Sequence, residues 1–299
     1  MTLWRIHLKP ASKTGFDSRK YCLDNNIVGC GWPIPNISSP ITSDAYYSNA
    51  KELYLAHNYK SWHSAWNAIN NKMEVGDLVW TRMTDGNYYL GRITSNWRYD
   101  YSISAIEANI CNIRSCEWVK VGLVDKVPGK VVSSFIPART LQAVNGETVS
   151  KYSQLVYNEL TKQLHYDVNS FSDVFSLLSS SDLEDVIGLY LQISLGYLLF
   201  PSSCKSDTLA YEYELVHRET KELAVVQVKS GNESLDRDKY RSIDGKVFLF
   251  ACNGQYFGEE YSHVTCFEPQ HIKDFMLKNW KLLPRSINFW LNRFSSASS

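Results

Sequence analysis

Hydrophobic and polar positions alternate in short runs through the first half of the chain. Six runs have the length and period of β-strands: Leu3–Leu8, Ile27–Trp32, Asp77–Met83, Tyr88–Thr94, Cys116–Val121 and Lys130–Phe135. The turn sequence Asp85-Gly86-Asn87 favours a β-hairpin between two of them. With one helical patch at Ser61–Asn71, these short strands predict a small β-barrel of α+β type over residues 1–145.

The pattern changes after residue 145. Apolar residues at helical spacing predict a helix within residues 147–166, and we expect residues 146–180 to connect two domains. From residue 181 onward, helical runs alternate with strand-like runs, as they do in α/β proteins. The chain is therefore predicted to hold a second, α/β domain at residues 181–299.

A predicted hairpin in this second domain brings carboxylate, amide and ammonium groups together. Its strand-like runs, Leu209–His217 and Leu223–Lys229, flank a polar connection that is short enough for a hairpin. Because side chains alternate along a strand, Gln227 and Lys229 share one face of the second run. The hairpin is expected to place Glu214 of the first run beside both of them.

These groups suit the hydrolysis of a phosphodiester bond. Mg²⁺ prefers carboxylate, amide and carbonyl oxygens, which Glu214, Gln227 and the Val228 carbonyl would supply, and Mn²⁺ is an alternative metal. Lys229 would orient or deprotonate the attacking water. Glu212 is an alternative strand acid because it shares the face of Glu214. A plain cross-strand ion pair would also explain a carboxylate and a lysine here.

The same stretch resembles the PD-(D/E)XK nuclease superfamily, and more narrowly its Mrr-type restriction endonucleases. In that branch an acidic residue on one strand precedes a hairpin and a Gln-x-Lys motif, which the sequence QVK at 227–229 matches. Glu214 stands at the position of the family's aspartate. The resemblance covers residues 181–299 and implies a restriction-endonuclease-like α/β domain.

The family also has an upstream helix that carries a glutamate and ends in a Gly-aromatic turn. Residues 181–200 fit this description, with Glu184 as the glutamate and Gly196-Tyr197 as the turn. The resemblance therefore implies a set of four catalytic residues, namely Glu184, Glu214, Gln227 and Lys229.

The first half resembles the small β-barrel reader domains of the PUA/EVE type, on the evidence of three segments. These are the opening strand WRIHL, the element IVGCGW at 27–32 and the hairpin at 74–93. Some such domains lie upstream of nuclease domains in modification-dependent restriction systems. A reader of this kind flips a modified base and holds it between aromatic walls. The candidate base-reading residues are Trp32, Trp80, Tyr89, Trp97, Arg98 and Tyr99, with Asp77 or Asn96 facing a Watson–Crick edge.

Two alternatives stay open for the polar and aromatic residues. Aromatic side chains in a small barrel also serve as ordinary core. The basic residues that would contact DNA phosphates are scattered along the chain. They could equally be ordinary solvent-exposed residues that bind no ligand. They are Arg82, Arg92, Arg98 and Arg139 in the first half and Lys205, Arg237, Lys239 and Arg241 in the second, the last three within the loop at 230–242.

Composition narrows the class of protein. Hydrophobic residues make up 44% of the 299 residues and charged residues 21%, which is typical of a globular protein. The formal net charge is zero, so any nucleic-acid surface must be local. Seven cysteines without a C-x-x-C pair predict reduced thiols in a cytoplasmic protein. No apolar run is long enough to span a bilayer, and the protein is not expected to bind a membrane.

Together these features predict a Mg²⁺-dependent DNA endonuclease whose first domain reads modified DNA in defence against foreign DNA. Double-strand cleavage by single active sites would call for a homodimer, and a companion defence subunit is a further expected partner. The alternative hypothesis is a non-catalytic module that binds modified nucleic acid or a small ligand, with the nuclease fold as a scaffold.

Overall fold

The elements below belong to a computed structural model that describes residues 1–8, 15–55, 60–168, 173–203 and 211–298. The α-helices in these residues are α1 (Ser18–Asp24), α2 (Ser43–Ala50), α3 (Lys60–Asn67), α4 (Ile103–Ala108), α5 (Gly129–Ser134), α6 (Glu147–Thr161), α7 (Ser180–Ser194), α8 (Pro269–Lys278) and α9 (Arg285–Ser298). Two π-helical segments, Lys51–Leu55 and Ala68–Lys72, follow α2 and α3.

The strands of the first half are β1 (Leu3–Ile6), β2 (Ile27–Cys30), β3 (Leu78–Arg82), β4 (Tyr88–Ile93), β5 (Arg98–Tyr99), β6 (Asn112–Gly122) and β7 (Leu141–Ala143). Those of the second half are β8 (Tyr197–Leu199), β9 (Tyr213–His217), β10 (Leu223–Lys229), β11 (Leu235–Asp236), β12 (Lys246–Ala251), β13 (Tyr256–Phe257) and β14 (Val264–Cys266). The protein is therefore mixed α/β, as predicted at this coarse level.

The chain forms two compact units. The first comprises Met1–Val127 with Val131–Val168, and the second comprises Pro128–Lys130 with Asn169–Ser299. The predicted connector, residues 146–180, is divided between the two units.

The first unit is built on a seven-stranded sheet that curls into a half-barrel. Its strand order is β2-β6-β4-β3-β1-β7, and β5 pairs with β6. The long strand β6 causes the curl because it pairs with β4 through one part of its length and with β2 and β5 through another. Apolar side chains from β1, β2, β3 and β6 meet inside the curl and form the core.

Helix α6 packs on this sheet against β4 and β6. The Trp80 indole N–H donates to the Ser153 hydroxyl of α6 at 3.0 Å, and the Tyr157 hydroxyl donates to the Glu117 carbonyl of β6 at 3.2 Å. Both aromatic side chains have no solvent-exposed surface. The helix therefore covers one face of the sheet and is part of the first unit's core.

The second unit is built on a five-stranded sheet in the order β14-β12-β10-β9-β8. The β10, β12 and β14 strands run parallel, whereas β9 is antiparallel to both β10 and β8. The central strands β10 and β12 are almost entirely buried, which explains their near-continuous apolar sequences. Helix α7 packs against β8 and β10 and thereby fixes the position of its own side chains relative to the hairpin.

One predicted element is wrong. Residues 129–134, expected as part of a strand, form the helix α5. In a run of only six residues, the spacing of hydrophobic positions does not distinguish a β-strand from a short helix.

Two further features concern the cysteines and the membrane. The six cysteines in the described ranges are free thiols, and four of them, Cys22, Cys30, Cys111 and Cys116, are buried in the first unit. Burial raises the pKa of the Cys111 thiol to about 12, which makes it unreactive. No helix within the described part of the chain is long and apolar enough to cross a bilayer.

Candidate active site

The predicted hairpin is present as β9 and β10, and its register decides which acid meets Gln227. Glu214 lies opposite Val225, and Tyr213 lies opposite Val226. The paired residues end at Tyr213, and Glu212 directly before it is held by its backbone N–H, which donates to the Val226 carbonyl at 2.8 Å. The Glu212 carboxylate accepts from the Gln227 amide. Glu212, the alternative acid, therefore takes the place expected for Glu214.

Gln227 is 5% exposed, and its side chain is held by two oxygens. The amide nitrogen donates to the Glu212 carboxylate and, at 3.3 Å, to the Val228 carbonyl. A carboxylate oxygen and a carbonyl oxygen thus converge on one buried point. Both are oxygen types that hard divalent cations prefer.

Glu214 has a different environment. Its side chain is exposed and accepts a hydrogen bond from the Tyr211 hydroxyl at 2.7 Å. It lies within β9, whereas Glu212 lies in the bend directly before this strand. The predicted contact between Glu214 and Gln227 is therefore not present.

Helix α7 supplies the next acid, and its start is well defined. The Ser179 hydroxyl accepts from the Asp182 N–H, and the Asp182 carboxylate accepts from the Ser179 N–H, which makes a complete capping box. The Tyr213 hydroxyl of β9 donates to the Glu184 carbonyl at 3.0 Å. This bond joins the helix to the hairpin at the residue that the sequence singled out.

The Glu184 side chain lies among the other charged groups of the site. Its pKa is raised to about 7, first by burial and then by the negative charges of Glu212 and Asp185, against the opposing charge of Lys229. Glu184 and Glu212 line the same cavity, Glu212 accepts from the Gln227 amide, and the charge of Lys229 reaches Glu184. Three of the four predicted residues, together with Glu212 in place of Glu214, are therefore close together.

A cavity of about 880 Å³ opens beside these groups. Glu184, Asp185 and Glu212 supply its carboxylates, and an apolar wall faces them. The wall is formed by Leu189, Leu199, Leu282, Leu283 and Pro284. The two acids of the site thus face open space that a substrate can enter.

Within the residues that the structure describes, no three His, Cys, Asp or Glu side chains are grouped to hold a metal ion. The oxygen donors available here are the carboxylates of Glu184 and Glu212, the Val228 carbonyl and the Gln227 amide oxygen. Mg²⁺ keeps several water ligands and commonly uses one or two protein carboxylates. A donor set of this size fits Mg²⁺ and does not fit a fully protein-ligated zinc centre.

Two of the predicted base-reading residues are core residues of the first unit. Trp80 is 0% exposed and Tyr99 is 4% exposed, and the Tyr99 hydroxyl accepts from the Ile34 N–H at 2.8 Å. Neither ring has a free face on which a base can stack. Asp77 is also buried, and it accepts from the backbone N–H of Thr2 and from the Trp4 indole. Trp80 is buried because both faces of β3 are covered, and its neighbours Val79 and Thr81 are buried as well.

Tyr89, Trp97 and Arg98 are accessible but do not line a cavity with Trp32. Tyr89 and Trp97 are half-buried, and the Trp97 indole N–H donates to the Asn112 side chain at 3.1 Å. Arg98 is exposed and lies 3.9 Å from the Asp100 carboxylate. Asn96 is exposed beside them.

Trp32 lines a cavity of about 560 Å³ in the first unit. The other lining groups include His7, Cys30, Asn109, Phe135 and Thr140. Trp32 has φ +67°, an unusual conformation for a large side chain, and its backbone N–H donates to the Asn109 side chain at 3.2 Å. A Cβ atom at Gly31 would lie 2.4 Å from Asn109, so this glycine permits the close packing that shapes the cavity.

Sequence reasoning missed His7, Asn109 and Phe135 as cavity residues. They directly follow β1, α4 and α5, which no local pattern relates to Trp32. The only available signal was the Gly-Cys-Gly-Trp sequence itself, which indicates a close approach of backbone.

The scattered basic residues have mixed surroundings. Arg92 lies 3.8 Å from the Glu117 carboxylate, and the Arg82 guanidinium lies over the Tyr88 ring. In the second unit, Arg237 lies over the Tyr256 ring and donates to the Gly258 carbonyl. Lys205 lies outside the described residues.

Comparison with known proteins gives one match. The model of a family described as a domain of unknown function (DUF8426) matches residues 4–133, which contain strands β2 to β6 and most of β1. No curated protein and no solved structure matches the chain. The match covers less than half of the chain and names no activity.

Proposed function

We propose that the protein is a metal-dependent endonuclease that hydrolyses phosphodiester bonds in DNA through its second unit. One observation carries this proposal: Glu184 and Glu212 line one cavity, the Gln227 amide bonds to Glu212, and the charge of Lys229 acts on Glu184. The order of helix, turn, hairpin and Gln-x-Lys, which resembles the Mrr-type PD-(D/E)XK nucleases, supports the same assignment.

Each residue of this group has a role that its position suits. Glu212, the Val228 carbonyl and the Gln227 amide oxygen would hold Mg²⁺ or Mn²⁺, with Glu184 as a further ligand, directly or through water. The metal, when bound, would lower the pKa of water and stabilise charge on the phosphate. The Lys229 Nζ would donate hydrogen bonds to a phosphate oxygen and offset the charge that develops there.

The amide of Gln227 offers a specific reason for this assignment. Its nitrogen stands where the Glu212 and Val228 oxygens converge. Rotation of the amide by half a turn would present its oxygen at the same point, and three oxygens would then face a cation. An ordinary cross-strand ion pair between Glu212 and Lys229 would not need a buried glutamine between them.

We propose that the first unit selects the DNA. Its cavity has an aromatic wall at Trp32 and polar groups at His7 and Asn109, and its volume accommodates a flipped nucleobase. The resemblance to PUA/EVE-type readers supports this role. The whole protein would then act as a modification-dependent restriction enzyme.

Two neighbouring acids, Glu212 directly before β9 and Glu214 within it, provide the test. With Mg²⁺ and plasmid DNA that carries or lacks modified cytosine, Glu212→Gln should lose about a hundredfold in cleavage rate, because its oxygen would ligate the metal. Glu214→Gln should stay within about twofold of the unaltered protein. Glu219→Gln at the exposed hairpin turn is the matched control. Equal activity in all of the variants would overturn the nuclease assignment.

Binding without catalysis is the second candidate, and one contact favours it. The Gln227 amide already satisfies the Glu212 carboxylate without a metal. Calorimetry with Mn²⁺ separates the candidates, since a nuclease should bind the ion and lose that binding in Glu212→Gln. Tight binding of a modified oligonucleotide with no metal binding at all would establish the module instead.

A further inference from the structure

The C-terminal helices carry a local excess of positive charge in a chain whose net charge is zero. Residues 269–293 contain five cationic side chains and one acidic side chain, Asp274. The cations are Lys273, Lys278, Lys281, Arg285 and Arg293. A local concentration of this kind is what a neutral protein needs in order to attract a polyanion.

The turn between α8 and α9 exposes two large apolar side chains. Trp280 is 49% exposed and Leu282 is 58% exposed, although large apolar groups are normally buried. The Lys281 ammonium lies 5.6 Å from the centre of the Trp280 ring. The turn therefore presents an aromatic face with a cation beside it.

This turn borders the candidate active site. Leu282, Leu283 and Pro284 line the same cavity as Glu184 and Glu212. The turn thus forms one edge of the opening through which a substrate would reach the acids.

The turn is also held in place. The Ser286 hydroxyl donates to the Asp182 carboxylate at 3.0 Å, and Asp182 belongs to the capping box of α7. The Asn288 side chain donates to the Leu283 carbonyl at 3.0 Å. These bonds tie the turn to the helix that carries Glu184, so the exposed apolar pair has a fixed position relative to the site.

We propose that the Trp280–Leu282 turn stacks on an unpaired nucleobase next to the phosphate that enters the cavity, while Lys281 and Arg285 contact the flanking phosphates. This inference rests on the proposed nuclease function. It states that the site binds DNA whose bases are locally unpaired. Aromatic stacking beside cations is the usual means of binding unpaired nucleic acid without sequence preference. The substrate strand would therefore be locally unstacked at the cut.

A second copy of the chain is a less suitable occupant of this surface. Symmetric self-association would bring the same patch of each copy together. The exposed Lys281 and Arg285 of one copy would then face the same cations of the other, and like charges at close range oppose association. A polyanion has the complementary charge.

The test measures binding separately from cleavage. Full-length Lys229→Ala protein, with EDTA present, is titrated into a single-stranded oligonucleotide that contains 2-aminopurine, whose fluorescence reports stacking. Adding Trp280→Ala should weaken binding about tenfold and remove the fluorescence change, whereas Trp280→Phe should preserve both. Leu223→Ala is the matched control, because Leu223 is 60% exposed at the far end of β10. Unchanged affinity and fluorescence in Trp280→Ala would overturn the proposal.

Cleavage assays distinguish failure of this inference from failure of the proposed function. If Trp280→Ala binds and cuts like the unaltered protein while Lys229→Ala does not cut, the nuclease stands and the stacking turn is wrong. If Lys229→Ala cuts normally, the cleavage does not depend on the proposed active site, and the proposed function of this site fails. A shift from dimer to monomer in Trp280→Ala, with binding intact, would assign the turn to a protein interface and overturn the stacking role.

Discussion

The two units each contain a cavity, and the two cavities differ in charge and in lining. The first-unit cavity is lined by an indole, an imidazole, an amide and a thiol, and no carboxylate is among its lining residues within the described chain. The second-unit cavity has three carboxylates, Glu184, Asp185 and Glu212, opposite an apolar wall. The first suits a neutral, flat ligand, and the second suits a cation with an anionic substrate.

This contrast shows why the aromatic residues and the charged residues have to be judged differently. Aromatic groups serve equally well as core and as ligand walls, so that only burial separates Trp80 from Trp32. A charged group has to be judged by its neighbours. Asp77 is buried but hydrogen-bonded by Thr2 and Trp4, whereas the pKa of half-buried Glu184 is raised by burial and by neighbouring carboxylates, which marks a candidate site.

The strongest test concerns Lys229. Lys229→Ala should reduce Mg²⁺-dependent cleavage by about a thousandfold, because it removes the only lysine expected at the reacting phosphate. Single-turnover rates on plasmid DNA measure this loss. Circular dichroism spectra should match those of the unaltered protein, and a variant that is folded and still fully active would contradict the assignment.

Substitution of Trp80 should affect the stability of the protein, whereas substitution of Trp32 should affect ligand binding. Trp80→Ala removes a fully buried indole and its hydrogen bond to Ser153, and it should lower the free energy of unfolding by about 4 kcal/mol. Urea denaturation measures this loss. A cost of less than about 1 kcal/mol would show that Trp80 is not a core residue.

Trp32→Ala should act mainly on ligand binding. We expect affinity for an oligonucleotide with a modified base to fall about tenfold, since one stacking wall is lost. Fluorescence anisotropy below the melting temperature measures this change. Leu123→Ala serves as the control because Leu123 is 55% exposed in the same unit and outside the cavity. Equal losses in both variants would remove the cavity from the reader hypothesis.

Glu184 should give a smaller, pH-dependent effect. Its pKa is raised from 4.5 to about 7 in the folded protein, so its favourable contribution is full below pH 4.5 and is lost as the pH rises towards 7. Glu184→Gln stays neutral and should raise the free energy of unfolding at pH 8 by about 1 kcal/mol, after allowance for solvent screening.

Melting temperatures with EDTA at pH 8 and pH 4 measure this difference. At pH 4 the variant and the unaltered protein should melt together, and the exposed Glu219→Gln should show no pH-dependent gain. A variant that is less stable at pH 8 would show that charged Glu184 is paired in the metal-free protein.

Local sequence determined most of the elements around the candidate site. The spacing of apolar residues predicted the helix now seen as α7, and Gly196, with φ +74°, makes the turn into β8 that the Gly-aromatic pair indicated. The alternation at Leu223–Lys229 predicted β10 with Gln227 and Lys229 on one face. Each of these depends on contacts within a few residues, which a sequence pattern records directly.

Tertiary structure alone decided which acid joins the site and which aromatics stay accessible. Glu212 and Glu214 are equivalent in the sequence pattern, so only the start of β9 at Tyr213 and the packing of α7 place Glu212 beside Gln227 and Glu184. Trp80 and Trp32 likewise differ only because α6 covers one and a cavity borders the other. Strand register and helix packing bring together residues that are distant in the chain, and no local pattern fixes those distances.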